Sequence, residues 1–190
     1  GEMYELLTMA NRTTEDVFSL LDNLLKWTKS QIGNLNVVYQ DVDAVEVVDS
    51  VIDVFNMVAG LKKITIREEK PEKLPVCTDI DMLKTIIRNL LSNAIKFSNE
   101  NSEVLVKMEE QGDTVVVSVK DSGCGIDEEG QQKLLHTDTH FSTFGTNNEE
   151  GSGLGLLLCQ DFAVKIGGKL WFTSKEGEGS TFYFSIPLKK

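Results

Sequence analysis

Two glycine clusters bracket a polar run in this chain: Asp121-Ser-Gly-Cys-Gly-Ile126 and Gly151-Ser-Gly-Leu-Gly-Leu156. A residue without Cβ lets the backbone approach a ligand closely and adopt positive φ. The first cluster follows an alternating stretch, Asp113-Thr-Val-Val-Val-Ser-Val-Lys120, that reads as a strand. The second opens a helix, where unpaired amides and the macrodipole favour bound anions. With a carboxylate at one end and a segment rich in Thr, Asn and Gly between them, they have the parts of a nucleotide pocket with a lid. Neither is the dinucleotide fingerprint GxGxxG or the phosphate loop GxxxxGK[ST]. Each alone is also what an ordinary turn after a strand looks like.

A third group lies upstream. Asn89, Asn93 and Lys96 are spaced four and three apart, which puts them on one helical stripe about 60° wide. Leu83, Ile86, Ile87, Leu90 and Ala94 take the adjoining face and are expected in the core. Amides beside an apolar face need partners. An amide oxygen is a suitable hard ligand for Mg²⁺, which keeps most of its waters. Lys96 would then be a point charge for phosphate. The plain alternative for this stripe is the solvated edge of an amphipathic helix.

The elements that must position these groups follow from periodicity. Residues from about Tyr4 to Ile32 read as one long helix, with Tyr4, Leu7, Phe18, Leu21, Leu25 and Ile32 at heptad-type positions and Gly33-Asn34 as its stop. The seam is interrupted at Asn11, Thr14 and Thr28, and its width suits a helical bundle. Strands are expected at 36–41, Lys63–Arg67, Glu103–Glu109, Thr114–Lys120, Lys169–Ser174 and Thr181–Pro187. Helices are expected at Ala44–Gly60 (ended by that glycine), from a cap at Asp79 or Asp81 to Phe97, near Asp127–Leu135, and at Leu154–Ile166 before Gly167-Gly168. Pro71 and Pro75 bracket a loop. The predicted class is α+β: a two-layer α/β sandwich with a mixed, mostly antiparallel sheet and three main helices, preceded by one long helix. Two domains are expected, 1–33 and 36–190.

A net charge of −11 over 190 residues argues against direct nucleic-acid or anionic-membrane binding. An acidic protein that binds polyphosphate must supply positive potential locally, by a divalent cation or by helix ends. Cys77, Cys124 and Cys159 are odd in number and widely spaced, as reduced thiols are and disulfide frames are not.

Taken in order, Asn89-Leu-Leu-Ser-Asn-Ala-Ile-Lys-Phe97, Asp121-Ser-Gly-Cys-Gly125, Gly151-Ser-Gly-Leu-Gly155 and Gly177-Glu-Gly-Ser-Thr-Phe-Tyr-Phe184 resemble the ATP-binding domain of sensor histidine kinases, within the gyrase, Hsp90 and MutL fold group. The match covers roughly residues 36–188. Leu21-Asp-Asn-Leu-Leu-Lys-Trp-Thr-Lys-Ser-Gln31 is similar to the second helix of that family's dimerisation hairpin. The resemblance implies a Bergerat-type fold binding ATP and Mg²⁺. Asp121 would accept a hydrogen bond from the adenine amino group, with Gly123, Gly125 and Ile126 completing that loop. Asn93 would hold the metal, Asn89 would lie close to it, Lys96 would reach phosphate and Phe97 would flank the base. Gly151, Ser152, Gly153, Leu154, Gly155 and Leu156 would line the triphosphate, and Thr181 would help hold the base edge. Residues about 136–150 would be the lid.

The resemblance further implies transfer of the γ-phosphoryl group to a histidine on an upstream helix, and then to a response-regulator aspartate. The implied partners are the protein's own dimerisation hairpin, a homodimer partner and a receiver domain. The expected location is cytoplasmic, with a membrane reached only through segments outside this sequence. At position 89 the fold group's ATPases carry a water-activating glutamate. Asparagine is a poor base, which favours transfer over hydrolysis. The chain departs from the family's pattern in three places. His136 and His140 fall in the lid rather than on the acceptor helix, so a fragment unable to phosphorylate itself at the usual position is expected. The lid has no Lys or Arg and ends in Glu149-Glu150, and Leu135 stands where relatives often carry phenylalanine, with Phe141 and Phe144 nearby to substitute. A degenerate, nonenzymatic relay module and an ATPase of the same fold group are the rival readings.

Overall fold

A computed structural model describes residues 1–135 and 154–188. The chain divides into two compact units, Gly1–Asn36 and Val37–Lys190. The first is the helix α1, Glu2–Gln31. It ends as expected: Gly33 takes φ +77°, its amide donates to Ser30, and the Asn34 amide donates to Lys29. The threonines that interrupt the seam are tolerated by turning inward, since the Thr14 and Thr28 hydroxyls donate to the carbonyls four residues back, at 2.9 and 2.8 Å. Leu7, Phe18, Leu21 and Leu25 are all exposed.

The second unit runs β1 (Gln40–Asp43), α2 (Ala44–Leu61), β2 (Thr65–Glu69), β3 (Pro75–Thr78), α3 (Ile80–Phe97), β4 (Glu103–Gln111), β5 (Thr114–Lys120), α4 (Glu128–Leu135), α5 (Leu154–Lys165), β6 (Leu170–Lys175) and β7 (Gly179–Pro187). Five strands form one sheet in the order β2-β4-β5-β7-β6, with β2 parallel to β4 and every other pair antiparallel. Alternation decides the faces. Val104, Val106, Val115, Val117, Phe184 and Ile186 are buried, as are Leu83, Ile86, Ile87 and Leu90 of α3. Each such side chain contributes about 1.5–3 kcal/mol through burial. Helices α2 and α5 pack on either side of α3, which makes α3 the centre of the helical layer. This is the two-layer sandwich with a mixed, mostly antiparallel sheet that the periodicity predicted.

Asp79 caps α3, its Oδ1 accepting from the Met82 amide at 3.0 Å. Several expectations need correction. The strand expected over 36–41 is displaced to Gln40–Asp43, because the Val38 amide donates instead to Asp79 Oδ2 at 2.8 Å. The expected strand Lys63–Arg67 is Thr65–Glu69, and Gly60 does not end α2. That helix runs to Leu61, and the chain reverses at Lys63, a non-glycine residue at φ +55°. Pro71 and Pro75 bracket a loop as expected, but Pro75 also begins an unexpected strand, β3, which pairs antiparallel with β1 in a small second sheet. Proline is tolerated as the first residue of such a strand.

Candidate functional site

The chain leaves β5 at Lys120, and the pleat turns the next side chain, Asp121, inward, where it is 4% exposed. Its Oδ1 accepts from the Gly123 amide at 3.0 Å and from the Ser180 amide at 3.2 Å, while the Asp121 amide donates to the Ser180 carbonyl at 2.9 Å. Oδ2 accepts no hydrogen bond among the described residues. Burial pushes the Asp121 carboxyl above its usual range, and the two amide bonds only partly oppose it.

The glycines show why this loop needs them. A Cβ on Gly123 would lie 1.9 Å from the Phe97 carbonyl oxygen, so the loop's backbone rests on the last turn of α3. Gly125 takes φ +67°, and a Cβ there would lie 2.0 Å from the Lys175 carbonyl oxygen. The Ile126 amide donates to Ser174 Oγ at 2.8 Å, and that oxygen is 2.7 Å from Ser180 Oγ. Gln131 of α4 donates to the carbonyls of Ile126 at 2.7 Å and Ser174 at 3.2 Å. The loop is therefore held between α3, α4 and the β6–β7 turn.

On α3, Asn89 is half-buried, with Nδ2 donating to the Thr85 carbonyl at 2.8 Å. A Cβ on Gly155 would lie 2.7 Å from Asn89 Oδ1, which puts the first turn of α5 directly against this amide. Asn93 is half-buried on the same stripe, and Lys96 Nζ lies 5.1 Å from the centre of the Phe97 ring. Asn89 to Phe97 spans about 12 Å of helix. The start of α5 meets its near end, and the Asp121 loop meets its far end. Asn89, Phe97, Asp121, Gly123 and Gly155 are thus brought together, with Asn93 and Lys96 between. Leu154 and Leu156 open α5 beside Gly155. Gly151, Ser152, Gly153 and the expected lid with His136, His140, Phe141, Phe144, Glu149 and Glu150 lie outside the described residues.

Thr181 is not brought to this site. It pairs with Lys120 across the β5–β7 ladder and lines a hollow of about 310 Å³ with Leu105, Ser118 and Tyr183 on the sheet face turned away from the helices. Ser180 takes the inward position instead. The signal was present: Phe182 and Phe184 read as core residues, and a period of two makes Ser180 their partner in facing inward. Ser174 and Gln131 carried no local signal.

Cys159 is fully buried, with Sγ 3.7 Å from the Ile86 carbonyl, and burial raises its pKa far above that of a free thiol. Cys124 is exposed beside Asp121, and its thiol is also shifted upward, first by desolvation. Iodoacetamide followed by mass spectrometry is expected to label Cys124 slowly and Cys159 only on unfolding. Labelling of Cys159 at the rate of Cys124 in the folded protein would contradict this packing.

Residues 78–190 match the family described as histidine kinase-, DNA gyrase B- and HSP90-like ATPase. The adaptive-response sensory kinase SasA of Rippkaea orientalis is 30% identical over 171 residues, covering 89% of this chain and 43% of that protein. The chain spans under half the length of the curated relatives it matches. Among solved structures, a nucleotide-free form of the catalytic domain of histidine kinase ThkA is 31% identical with a TM-score of 0.69, covering 80% of this chain and 96% of that one. The complex of ThkA with the response regulator TrrA gives a TM-score of 0.76 at 23% identity, covering 98% of this chain and 52% of that one, a likeness of fold alone. No helix among the described residues is long and apolar enough to cross a membrane.

Proposed function

The chain belongs to the family of histidine kinase-, DNA gyrase B- and HSP90-like ATPases, and from that membership we propose that it is the ATP-binding catalytic portion of a two-component sensor histidine kinase. The observation that carries this reading is the convergence of the Asp121 carboxylate, the amide stripe of α3 and the start of α5 within about two helical turns. Asp121 Oδ2 is an acceptor held rigid by the two amide bonds on Oδ1, and it suits the adenine amino group while disfavouring the guanine carbonyl. Phe97 flanks the base. Lys96 and the amides opening α5 take the phosphates.

The residues present fit a magnesium ion. Asn93 offers an amide oxygen that makes no hydrogen bond among the described residues, and those residues contain no cluster of three or more His, Cys, Asp or Glu side chains. Mg²⁺ takes one or two protein oxygens beside nucleotide phosphates, so a single amide is enough. When bound, the ion neutralises phosphate charge. Asn89 is a neutral amide bonded to the Thr85 carbonyl and cannot take a proton from water, so hydrolysis is suppressed. The phosphoryl group goes to a histidine on the first helix of a dimerisation hairpin, of which α1 is the second helix, and then to a receiver-domain aspartate. The homodimer forms through that hairpin, in the cytoplasm.

Calorimetry tests this reading. The chain is expected to bind ATP in the presence of Mg²⁺, and Asn93→Ala to weaken binding about tenfold, with the loss confined to magnesium-containing buffer. No heat and no displacement of a fluorescent ATP analogue would leave a relay module. Steady phosphate release without an acceptor would make it an ATPase.

A further inference from the structure

Lys62, the residue after α2, is 2% exposed. Its Nζ donates to the carbonyls of Ile95 at 3.0 Å and Lys96 at 2.8 Å. Those carbonyls belong to the last turn of α3. The helix closes with the Ser98 amide on Ala94, so no later amide of the helix reaches them. Such orphan carbonyls carry the negative end of the helix dipole, and an ammonium there supplies donors and opposite charge together.

We propose that Lys62 is a positioning residue for the nucleotide, which keeps the last turn of α3 wound so that Lys96, Phe97 and the Gly123 loop hold their places. This rests on the ATP-binding reading. The geometry is direct: the carbonyl of Lys96 is one of the two that Lys62 holds, and the next carbonyl, of Phe97, is the one against which Gly123 packs. The ammonium is close enough to that loop for its charge to act on the Cys124 thiol. An apolar residue of equal length would leave two carbonyls short of donors at the end that carries both the base-flanking ring and the phosphate-binding amine. Lys62 touches neither base nor phosphate, and its effect passes through α3.

The test compares the intact chain with Lys62→Met and Lys62→Arg. Without nucleotide, Lys62→Met is expected to speed exchange of the Ser98 amide about tenfold, and unchanged exchange overturns the inference. With Mg²⁺ present, Lys62→Met is expected to bind ATP about tenfold more weakly, to lose less for adenosine, which has no phosphate for Lys96, and to be rescued to within about threefold by Lys62→Arg. An equal loss for ATP and adenosine with a lowered melting temperature would mean that Lys62 serves packing alone. If Lys62→Met does not fold, Lys62→Arg decides: a folded arginine variant that loses ATP as strongly as Asn93→Ala overturns the role. Absence of binding by the unsubstituted chain would refute the ATP reading, whereas the Ser98 comparison bears on Lys62 by itself.

Discussion

Asp121→Asn is expected to weaken ATP binding about a hundredfold while leaving the protein at least as stable at neutral pH. The amide oxygen of asparagine can still accept from Gly123 and Ser180, so the loop keeps its shape. The atom in the place of Oδ2 becomes a donor, which meets the donor of the adenine amino group. Losing a charged acceptor and opposing two donors costs about 2–3 kcal/mol, hence the hundredfold. Stability moves the other way. Burial raises the Asp121 carboxyl pKa in the folded protein, so the fold binds a proton there more readily than the unfolded chain does. Stability therefore falls as pH rises from the usual carboxylate range through the raised value, and stays reduced above it. The asparagine variant escapes that penalty. Melting temperatures should favour it at pH 7 and converge with those of the unsubstituted protein toward about pH 3–4. Retained affinity would remove Asp121 from the base site, and a lower melting temperature at pH 7 would mean that burial does not strain this carboxylate.

Such a division between binding and stability is what a site legible in sequence looks like. Helix α3 was readable because two independent signals agreed: a capping aspartate at 79 or 81, of which the structure uses Asp79, and an apolar face whose edge carries Asn89, Asn93 and Lys96. The central strands were equally plain, because β4 buries Val104, Val106 and Met108 in alternation and β5 is a run of β-branched residues that sets Val115, Val117 and Val119 on one face. Short elements were not. β3 has four residues and begins with proline, and β1 could be registered only by knowing that Asp79 takes the Val38 amide. Pairing across tens of residues leaves no periodic trace. Lys62 is the sharpest case: it looks like one of two surface lysines after a helix, yet its partners lie 33 and 34 residues away. Thr181 shows the opposite failure. The family likeness points to Thr181, whereas the parity of Phe182 and Phe184 points to Ser180, and the buried hydroxyl is on Ser180.

Gly179→Ala is expected to destabilise the protein by about 3 kcal/mol or more, and Gly177→Ala, two residues earlier, by only about 1–2 kcal/mol. Both glycines take positive φ, +80° at 177 and +102° at 179, so both substitutions carry backbone strain. They differ in surroundings. A Cβ on Gly177 meets nothing within 4 Å, whereas one on Gly179 would lie 2.2 Å from the Asp121 carbonyl oxygen. That oxygen belongs to the backbone and cannot swing aside as a side chain would. Relief requires parting the β6–β7 turn from the loop after β5, which would break the Gly177 amide bond to the Cys124 carbonyl at 2.7 Å. The same movement would draw the Ser180 amide off Asp121 Oδ1, so whatever folded Gly179→Ala protein remains should also bind ATP weakly. Urea midpoints at equal m-values measure the first effect and calorimetry the second. Equal midpoints for the two variants would mean that the turn and the loop have room between them, and Gly179 would then serve the turn alone rather than the approach of the Asp121 carboxylate to its second amide.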